Sequence, residues 1–198
     1  MKLYRPATVA VGVLFVLLGG LTRLLDPSEV FEDRTRIITH GAIGEDVKYY
    51  DSTVTITRLQ FAKSFAEDED DSAQVDTEGV FVAVEYDAVR GTEDAGINSI
   101  TLAADGGSVY APVTEIIANG IDFAEPGFAR SGALVFEVNP SDVVGLTLKL
   151  RTSGTLLFNS LNQDLAIDLG VPDDEVAQRS IEQAQDQYVI PDSVIRVA

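Results

Sequence analysis

The sequence contains no cysteine and only one histidine. Without cysteine the chain has no disulfide framework, no thiolate metal site and no thiol nucleophile. A body of about 170 residues can bury roughly two-thirds of the surface that its unfolded chain exposes, so it needs no covalent crosslinks to fold. The chain also lacks the G-x-S-x-G, G-x-x-x-x-G-K-[ST] and G-x-G-x-x-G segments that mark common hydrolases, nucleotide-binding loops and dinucleotide-binding folds.

The single histidine, His40, stands beside Gly41 without a second imidazole or a thiol. Acid–base chemistry or a zinc site based on histidine would therefore depend on this residue and carboxylates alone. We expect His40 to be a surface or hydrogen-bonded structural residue. No combination of nucleophile, base and orienting group is visible, so the sequence predicts no enzyme and no cofactor.

Basic residues are scarce outside the N-terminus. The chain has 14 basic and 32 acidic residues and a formal net charge of −18. Residues 1–25 contain three basic residues and no acid, so the remainder carries 11 basic against 32 acidic residues. A body this acidic is repelled by nucleic-acid phosphates and anionic lipid headgroups, which excludes both as partners. The favoured interpretation of this negative charge is that it keeps the protein soluble. The alternative is that it attracts cations or a basic protein partner.

The one long apolar segment is residues 7–25, ATVAVGVLFVLLGGLTRLL. As a helix it would span about 28 Å, close to the thickness of a bilayer's hydrocarbon core. Lys2 and Arg5 precede it, so the positive-inside rule puts the N-terminus in the cytoplasm and the body outside. A cleaved signal peptide is the alternative, but no A-x-A-like site follows the apolar core. We predict a retained anchor in residues 1–25, followed by an acidic linker in residues 26–36.

Residues 37–170 are dominated by alternating apolar and polar residues, which predict short half-buried strands. Gly- and Pro-containing turns separate the strands, and no strand–helix–strand alternation appears, so the pattern favours a two-sheet β-sandwich. Val54 and Ile56 are followed by Leu59 and Phe61, a shift of phase that predicts a β-bulge. The predicted strands are Asp51–Ser64, Gly79–Ala88, Ser99–Ala103, Ser131–Val138, Val144–Arg151 and Leu165–Leu169.

Residues 171–198 predict one helix and an extended tail. The helix is expected over Asp173–Gln187, with acidic residues in its first turn and an i,i+4 pair between Glu175 and Arg179. Its apolar stripe comprises Val176, Ala177, Ile181, Ala184 and Tyr188. In the tail, Tyr188–Ala198, Pro191 restricts any strand to a sheet edge. The whole is a mainly β chain: a transmembrane helix, an immunoglobulin-like sandwich and a C-terminal helix.

The sequence and order of these strands resemble those of a known domain family. The segments VTITRLQ, GVFVAVEYDA, SITLAADGGSVYAP and AEPGFARSGALVFEVNP, followed by an L-x-L-x-L strand, are similar to the telokin-like immunoglobulin-fold domain of unknown function found in exported Gram-positive and actinobacterial proteins. The resemblance implies an extracytoplasmic accessory or binding module and supplies no catalytic residues. The order of anchor, sandwich and helix also resembles actinobacterial envelope proteins.

Two acidic groups are candidate sites. The run Glu67, Asp68, Glu69, Asp70 and Asp71 could bind Ca²⁺ weakly, since hard cations prefer clustered carboxylates. The run lacks the alternating spacing of a calcium loop, so a solvated connection between strands is the favoured interpretation. Glu85 and Asp87 share a strand face, as a glycosidase pair would, but an acidic sandwich offers such pairs by chance.

The sequence therefore favours a non-enzymatic interaction module held at the membrane by residues 7–25. Its expected partner is a membrane protein or envelope complex, for instance as an accessory subunit of the actinobacterial respiratory supercomplex. The alternative is an extracytoplasmic binding protein for a small ligand, a cation or a cell-wall polymer. An apolar cleft lined by Phe and Tyr would favour the alternative, whereas an exposed apolar patch would favour docking.

Overall fold

The computed structural model describes residues 36–66, 75–92, 97, 99–113, 121–151 and 162–198. The predicted anchor, most of the linker and the acidic run Glu67–Asp71 lie outside these residues. Ile37–Ala198 form one compact unit. Among the described residues, no helix is both long and apolar enough to cross a membrane.

Two β-sheets pack face to face, which confirms the predicted mainly β sandwich with one helix. Sheet A has the strand order β1-β9-β8-β5-β6, and sheet B has the order β10-β3-β4-β7-β11, with β2 also pairing with β3. The strands are β1 (Arg36–Ala42), β2 (Asp46–Tyr49), β3 (Ser52–Ala66), β4 (Val75–Val89), β5 (Ser99–Ala103), β6 (Val109–Tyr110), β7 (Phe128–Val138), β8 (Thr147–Arg151), β9 (Asn162–Asp168), β10 (Tyr188–Val189) and β11 (Ile195–Val197).

The alternation in β8 shows how the sequence fixes a strand's register. Leu148 and Leu150 are fully buried, whereas Arg151 is exposed and Lys149 is half-buried. In the sheet, Leu148 stands between Leu102 of β5 and Ile167 of β9. All three side chains point into the space between the sheets, because directly opposed residues on neighbouring strands share a face. The inward and outward positions of this strand were predicted correctly.

The phase shift in β3 is a bulge, as predicted. The pairing between β3 and β4 slips between Ile56 and Arg58, and again between Ala62 and Ser64. An inserted residue at such a slip changes which side chains face the core. Val54 and Ile56 are fully buried, whereas Leu59 and Phe61 are only partly buried against the same core.

Sheet B is buried on both faces, which the sequence analysis did not foresee. The predicted inward residues of β4 lie in the core between the sheets, but Phe81 and Ala83 on the opposite face are buried as well. They belong to a second apolar cluster, comprising Ala62, Phe65, Phe81, Ala83, Ala133, Val135 and Tyr188. Strands that are buried on both faces lose the clean alternation of a half-solvated strand. The prediction of a half-buried strand is therefore wrong for β4, which has buried residues on both faces.

The helix, α1, spans Asp174–Glu182 and is shorter than predicted. Asp173 caps it by accepting a hydrogen bond from the Val176 N–H, and Arg179 pairs with Glu175 at 2.6 Å. The helix ends early because Gln185 bonds to β3: its N–H donates to the Phe61 carbonyl, and its carbonyl accepts from the Lys63 N–H. These bonds replace the intrahelical ones that a longer helix would need. Tyr188 consequently lies in β10 and not on the helix stripe.

The tail supplies a strand to each edge of sheet B. β10 pairs in parallel with the end of β3, and β11 pairs antiparallel with the start of β7. Between them Ile190 packs against the second apolar cluster. Pro191 falls in the connection, where its missing N–H interrupts no ladder. The tail therefore joins both edges of one sheet.

Candidate functional site

The exposed apolar residues gather at the β11 edge of sheet B. Phe128, Val194, Ile195 and Val197, which we call the β11 patch, account for half of the large exposed hydrophobic residues of the described chain. Val197 stands opposite Phe128 in the pairing of β11 with β7, so these two side chains and that of Ile195 share one face of the sheet. Val197 is 78% exposed. Neighbouring exposed apolar side chains are a common feature of protein interaction surfaces.

A turn at Glu125–Phe128 positions the patch. The Phe128 N–H donates to the Glu125 carbonyl at 3.0 Å, and Gly127 takes a φ of 87°, in the left-handed region that favours glycine. This turn, which contains Pro126 and Gly127, is one of the Gly- and Pro-containing turns predicted between strands, and it sets where β7 begins. Phe128 is the first residue of the strand and remains 40% exposed.

Polar contacts hold β11 in place. Arg196 makes two hydrogen bonds to the carboxylate of Asp87, at 2.9 and 2.5 Å. This bidentate pairing raises the pKa of the Arg196 guanidinium, mainly through the hydrogen bond itself. The Ser193 hydroxyl donates to the Ser131 carbonyl at 2.8 Å. The apolar side chains of β11 are thus presented on a strand that is fixed to the sheet.

The charged residues near the β11 patch include more acidic than basic groups. Arg130 forms an ion pair with Asp122, and Arg196 forms one with Asp87. Glu125 and Asp192, which precede Phe128 and Val194 in the chain, are exposed as well. Both basic groups are thus matched by carboxylates, and the surroundings of the patch are acidic.

His40 lies in a groove on sheet A that has both polar and apolar lining residues. The groove has a volume of about 460 Å³, and its charged or titratable lining residues are His40, Asp105 and Asp168. Small residues, Gly41 and Gly145 among them, form part of its wall. The sequence does not group His40 with Asp105 and Asp168, because the three residues are distant in the chain and only the fold brings them together. Within the described residues, no group of three or more His, Asp or Glu side chains could hold a metal ion.

A second groove, of about 380 Å³, lies between β3 and α1. It is lined by Leu59, Gln60, Phe61, Gly170, Val171, Ser180, Gln183 and Gln185. Phe61 is its single aromatic residue, and amide and hydroxyl groups form much of the wall. Neither groove is the apolar, Phe- and Tyr-lined cleft that would favour a small-molecule site.

Glu85 and Asp87 are engaged in structural contacts. Glu85 accepts a hydrogen bond from the Tyr188 hydroxyl at 3.3 Å and lies 3.8 Å from the Arg58 guanidinium. Burial, followed by the charge of Glu85, raises the pKa of the Tyr188 phenol. Asp87 is paired with Arg196. The two carboxylates therefore fasten the tail to sheet B, one at each edge strand.

No protein-family model matches the chain, and no curated protein is similar to it in sequence. Among solved structures, the chain is similar to an uncharacterized β-sandwich protein from Clostridium difficile 630. The two sequences are 14% identical, and the match covers 66% of this chain and 95% of the other, with a TM-score of 0.41.

Proposed function

We propose that this chain is a non-enzymatic interaction module, anchored by residues 7–25, whose extracytoplasmic domain docks on a membrane or envelope protein. The observation that carries the proposal is the β11 patch. A folded domain that leaves Phe128, Ile195 and Val197 exposed on one face offers apolar area that a partner can bury. The acidic character of the chain makes a protein a better partner than a nucleic acid or an anionic membrane surface.

The strand pairing supports an immunoglobulin-like form of the sandwich. β4 pairs with β7 in sheet B, whereas β8 pairs with both β5 and β9 in sheet A. Immunoglobulin domains pair strand B with strand E, and strand F with both strand C and strand G, in the same way. This agreement supports the telokin-like resemblance, and with it a role as an accessory module. The narrower proposal, an accessory subunit of an actinobacterial respiratory supercomplex, rests on the sequence resemblance alone.

The alternative is a binding protein for a small ligand or a cation, and the groove at His40 is the observation that favours it. The imidazole of His40 and the carboxylates of Asp105 and Asp168 line this groove and would suit a positively charged ligand. Its apolar lining consists of small residues together with Val171 and Pro172, and none of its described lining residues is aromatic, so it is not the Phe- and Tyr-lined cleft expected for a small-molecule site. The docking proposal therefore ranks first.

The test is purification of the full-length chain from native membranes in mild detergent, with mass spectrometry of the chains that accompany it. We expect a stoichiometric membrane or envelope protein with the wild type and its loss with Val197→Ser. Val109→Ser is the matched control, because Val109 is also an exposed strand valine, at 62%, but lies on β6. A wild-type chain that purifies as a lone monomer would reject docking and leave the ligand-binding alternative.

A further inference from the structure

We infer that the partner binds by adding a β-strand to the free edge of β11. This inference rests on the proposed docking function and specifies its mode and the chemistry of the partner. It depends on the direction of the backbone groups in β11, on the side chains next to them and on the surrounding charge.

The backbone groups of β11 alternate between β7 and solvent. The Val194 carbonyl accepts a hydrogen bond from the Ser131 N–H at 2.9 Å, and the Ala198 N–H donates to the Gly127 carbonyl at 3.1 Å. Residues two apart in a strand present their backbone groups to the same side. Val194, Arg196 and Ala198 therefore face β7, and Ile195 and Val197 turn their N–H and C=O groups to the opposite side.

That opposite side is the end of the sheet. β11 is the last strand in the order of sheet B, and no described residue bonds to the outward N–H and C=O groups of Ile195 and Val197. An edge of this kind is a template for another strand. Main-chain hydrogen bonds supply affinity in such pairings, and side chains at alternate positions supply specificity.

The side chains of β11 and its neighbour Phe128 define which residues the added strand should carry. Ile195, Val197 and Phe128 lie on one face, so a strand paired beside β11 would place apolar residues at alternate positions against them. On the other face, Arg196 is already paired with Asp87, so the added strand needs no acidic residue opposite Arg196. The fitting segment is an extended stretch with apolar residues at every second position.

Charge favours a strand from a different protein over a strand from a second copy of this chain. Glu125 and Asp192 are exposed beside the patch, and the whole chain carries a formal charge of −18. A second copy would bring the same acidic surroundings to the contact, whereas basic residues flanking a partner strand would be attracted. The partner segment is therefore an alternating apolar strand with basic flanks.

The test uses the full-length chain in detergent and a synthetic probe peptide, acetyl-Lys-Thr-Val-Thr-Val-Thr-Lys-amide. The measurement is hydrogen exchange of individual backbone amides. We expect the probe to protect the amides of Ile195 and Val197, and the same peptide with N-methylated valines to protect neither. Val197→Pro should weaken probe binding by about fivefold or more, the effect of one net hydrogen bond. It removes an outward N–H and none of the bonds to β7.

Two controls keep the outcomes distinct. Val197→Ala retains the outward N–H and removes most of the side chain, so it separates backbone pairing from apolar contact. Protection of the Ser131 amide, which donates to Val194, reports whether β11 stays attached in each variant. Equal binding of the normal and N-methylated probes, absence of protection by the probe, or protection that arises from self-association without the probe would each overturn strand addition. A membrane partner that binds Val197→Pro with the same affinity as the wild type would overturn it while leaving docking intact.

Discussion

Leu148 and Lys149 are adjacent residues with opposite environments. Leu148 is fully buried between Leu102 and Ile167, and Lys149 stands on the outer face of sheet A between Thr101 and Ala166. We expect Leu148→Asp to lower the free energy of unfolding by about 4 kcal/mol or more, since it leaves a cavity and buries a carboxylate. Lys149→Asp should change it by less than about 1 kcal/mol. Urea unfolding followed by circular dichroism measures both, and equal stabilities would show that the register of β8 is wrong.

Tyr188 links a buried phenol to the carboxylate of Glu85. Its pKa is raised above the ordinary value of 10.0, first by burial and then by the charge of Glu85. A phenol with a raised pKa in the folded state contributes its stability fully below the pKa of the unfolded state and loses it as the pH rises. We therefore expect the free energy of unfolding to fall as the pH rises above about 10.

Tyr188→Phe should flatten this alkaline loss, because the variant keeps the ring and has no proton to lose. Tyr86 also has a raised pKa, caused by burial, so part of the loss should remain. Urea unfolding from about pH 8 to about pH 11 gives the slopes to compare. Identical slopes in the wild type and Tyr188→Phe would show that Tyr188 is not the group responsible.

At the scale of elements, the sequence predicted strands best where one face is solvated. The alternation in β8 and the phase shift in the first half of β3 were read correctly, because in both segments the core takes every second residue and the residues between them are at least partly exposed. Strand β2 was missed for a local reason. It joins β3 through a two-residue turn in which Tyr50 takes a φ of 53°, a conformation that sequence signals assign to Gly or Asn. The turn is held from outside, since the Tyr50 N–H donates to the Gln163 side chain at 2.8 Å.

The C-terminal elements show what local pattern cannot supply. The apolar spacing of Ala184 and Tyr188 continues that of α1, so periodicity alone extends the helix to Gln187. The helix instead ends at Glu182, because the backbone of Gln185 forms hydrogen bonds with β3, which lies more than a hundred residues earlier in the chain. The β11 patch was missed for the same reason: Phe128 and Val197 are distant in sequence, and only the pairing of β7 with β11 brings them together.

Two truncations of the tail should lower the free energy of unfolding by different amounts. Removal of residues 188–198 takes Tyr188 and Ile190 away from the second apolar cluster and frees both edges of sheet B. We expect the free energy of unfolding to fall by about 3 kcal/mol or more, the value of burying a large aromatic and an aliphatic side chain. Truncation after Val194 keeps β10 and should cost less. Denaturant unfolding compares the two, and equal losses would mean that β10 does not support the cluster.

At the scale of the whole molecule, charge and apolar surface should act on different steps of docking. In the proposed docking, Glu125, Asp192 and the acidic remainder of the chain would attract a basic partner over a distance, and salt would shorten that reach from about 10 Å at 0.1 M to about 3 Å at 1 M. Attraction of this kind mainly sets the association rate. The β11 patch is buried only after contact, so it should set the dissociation rate.

We therefore expect the association rate of the full-length chain with its co-purified partner to fall by about tenfold or more between low and high salt, with little change in dissociation. The double variant Glu125→Lys, Asp192→Lys should weaken that salt dependence and leave the dissociation rate near that of the wild type. Val197→Ser should do the reverse, with faster dissociation at an unchanged salt dependence. Surface plasmon resonance with the partner in detergent resolves both rates. If both variants altered only the association rate, Val197 would lie outside the final contact, and the β11 patch could not be the docking surface.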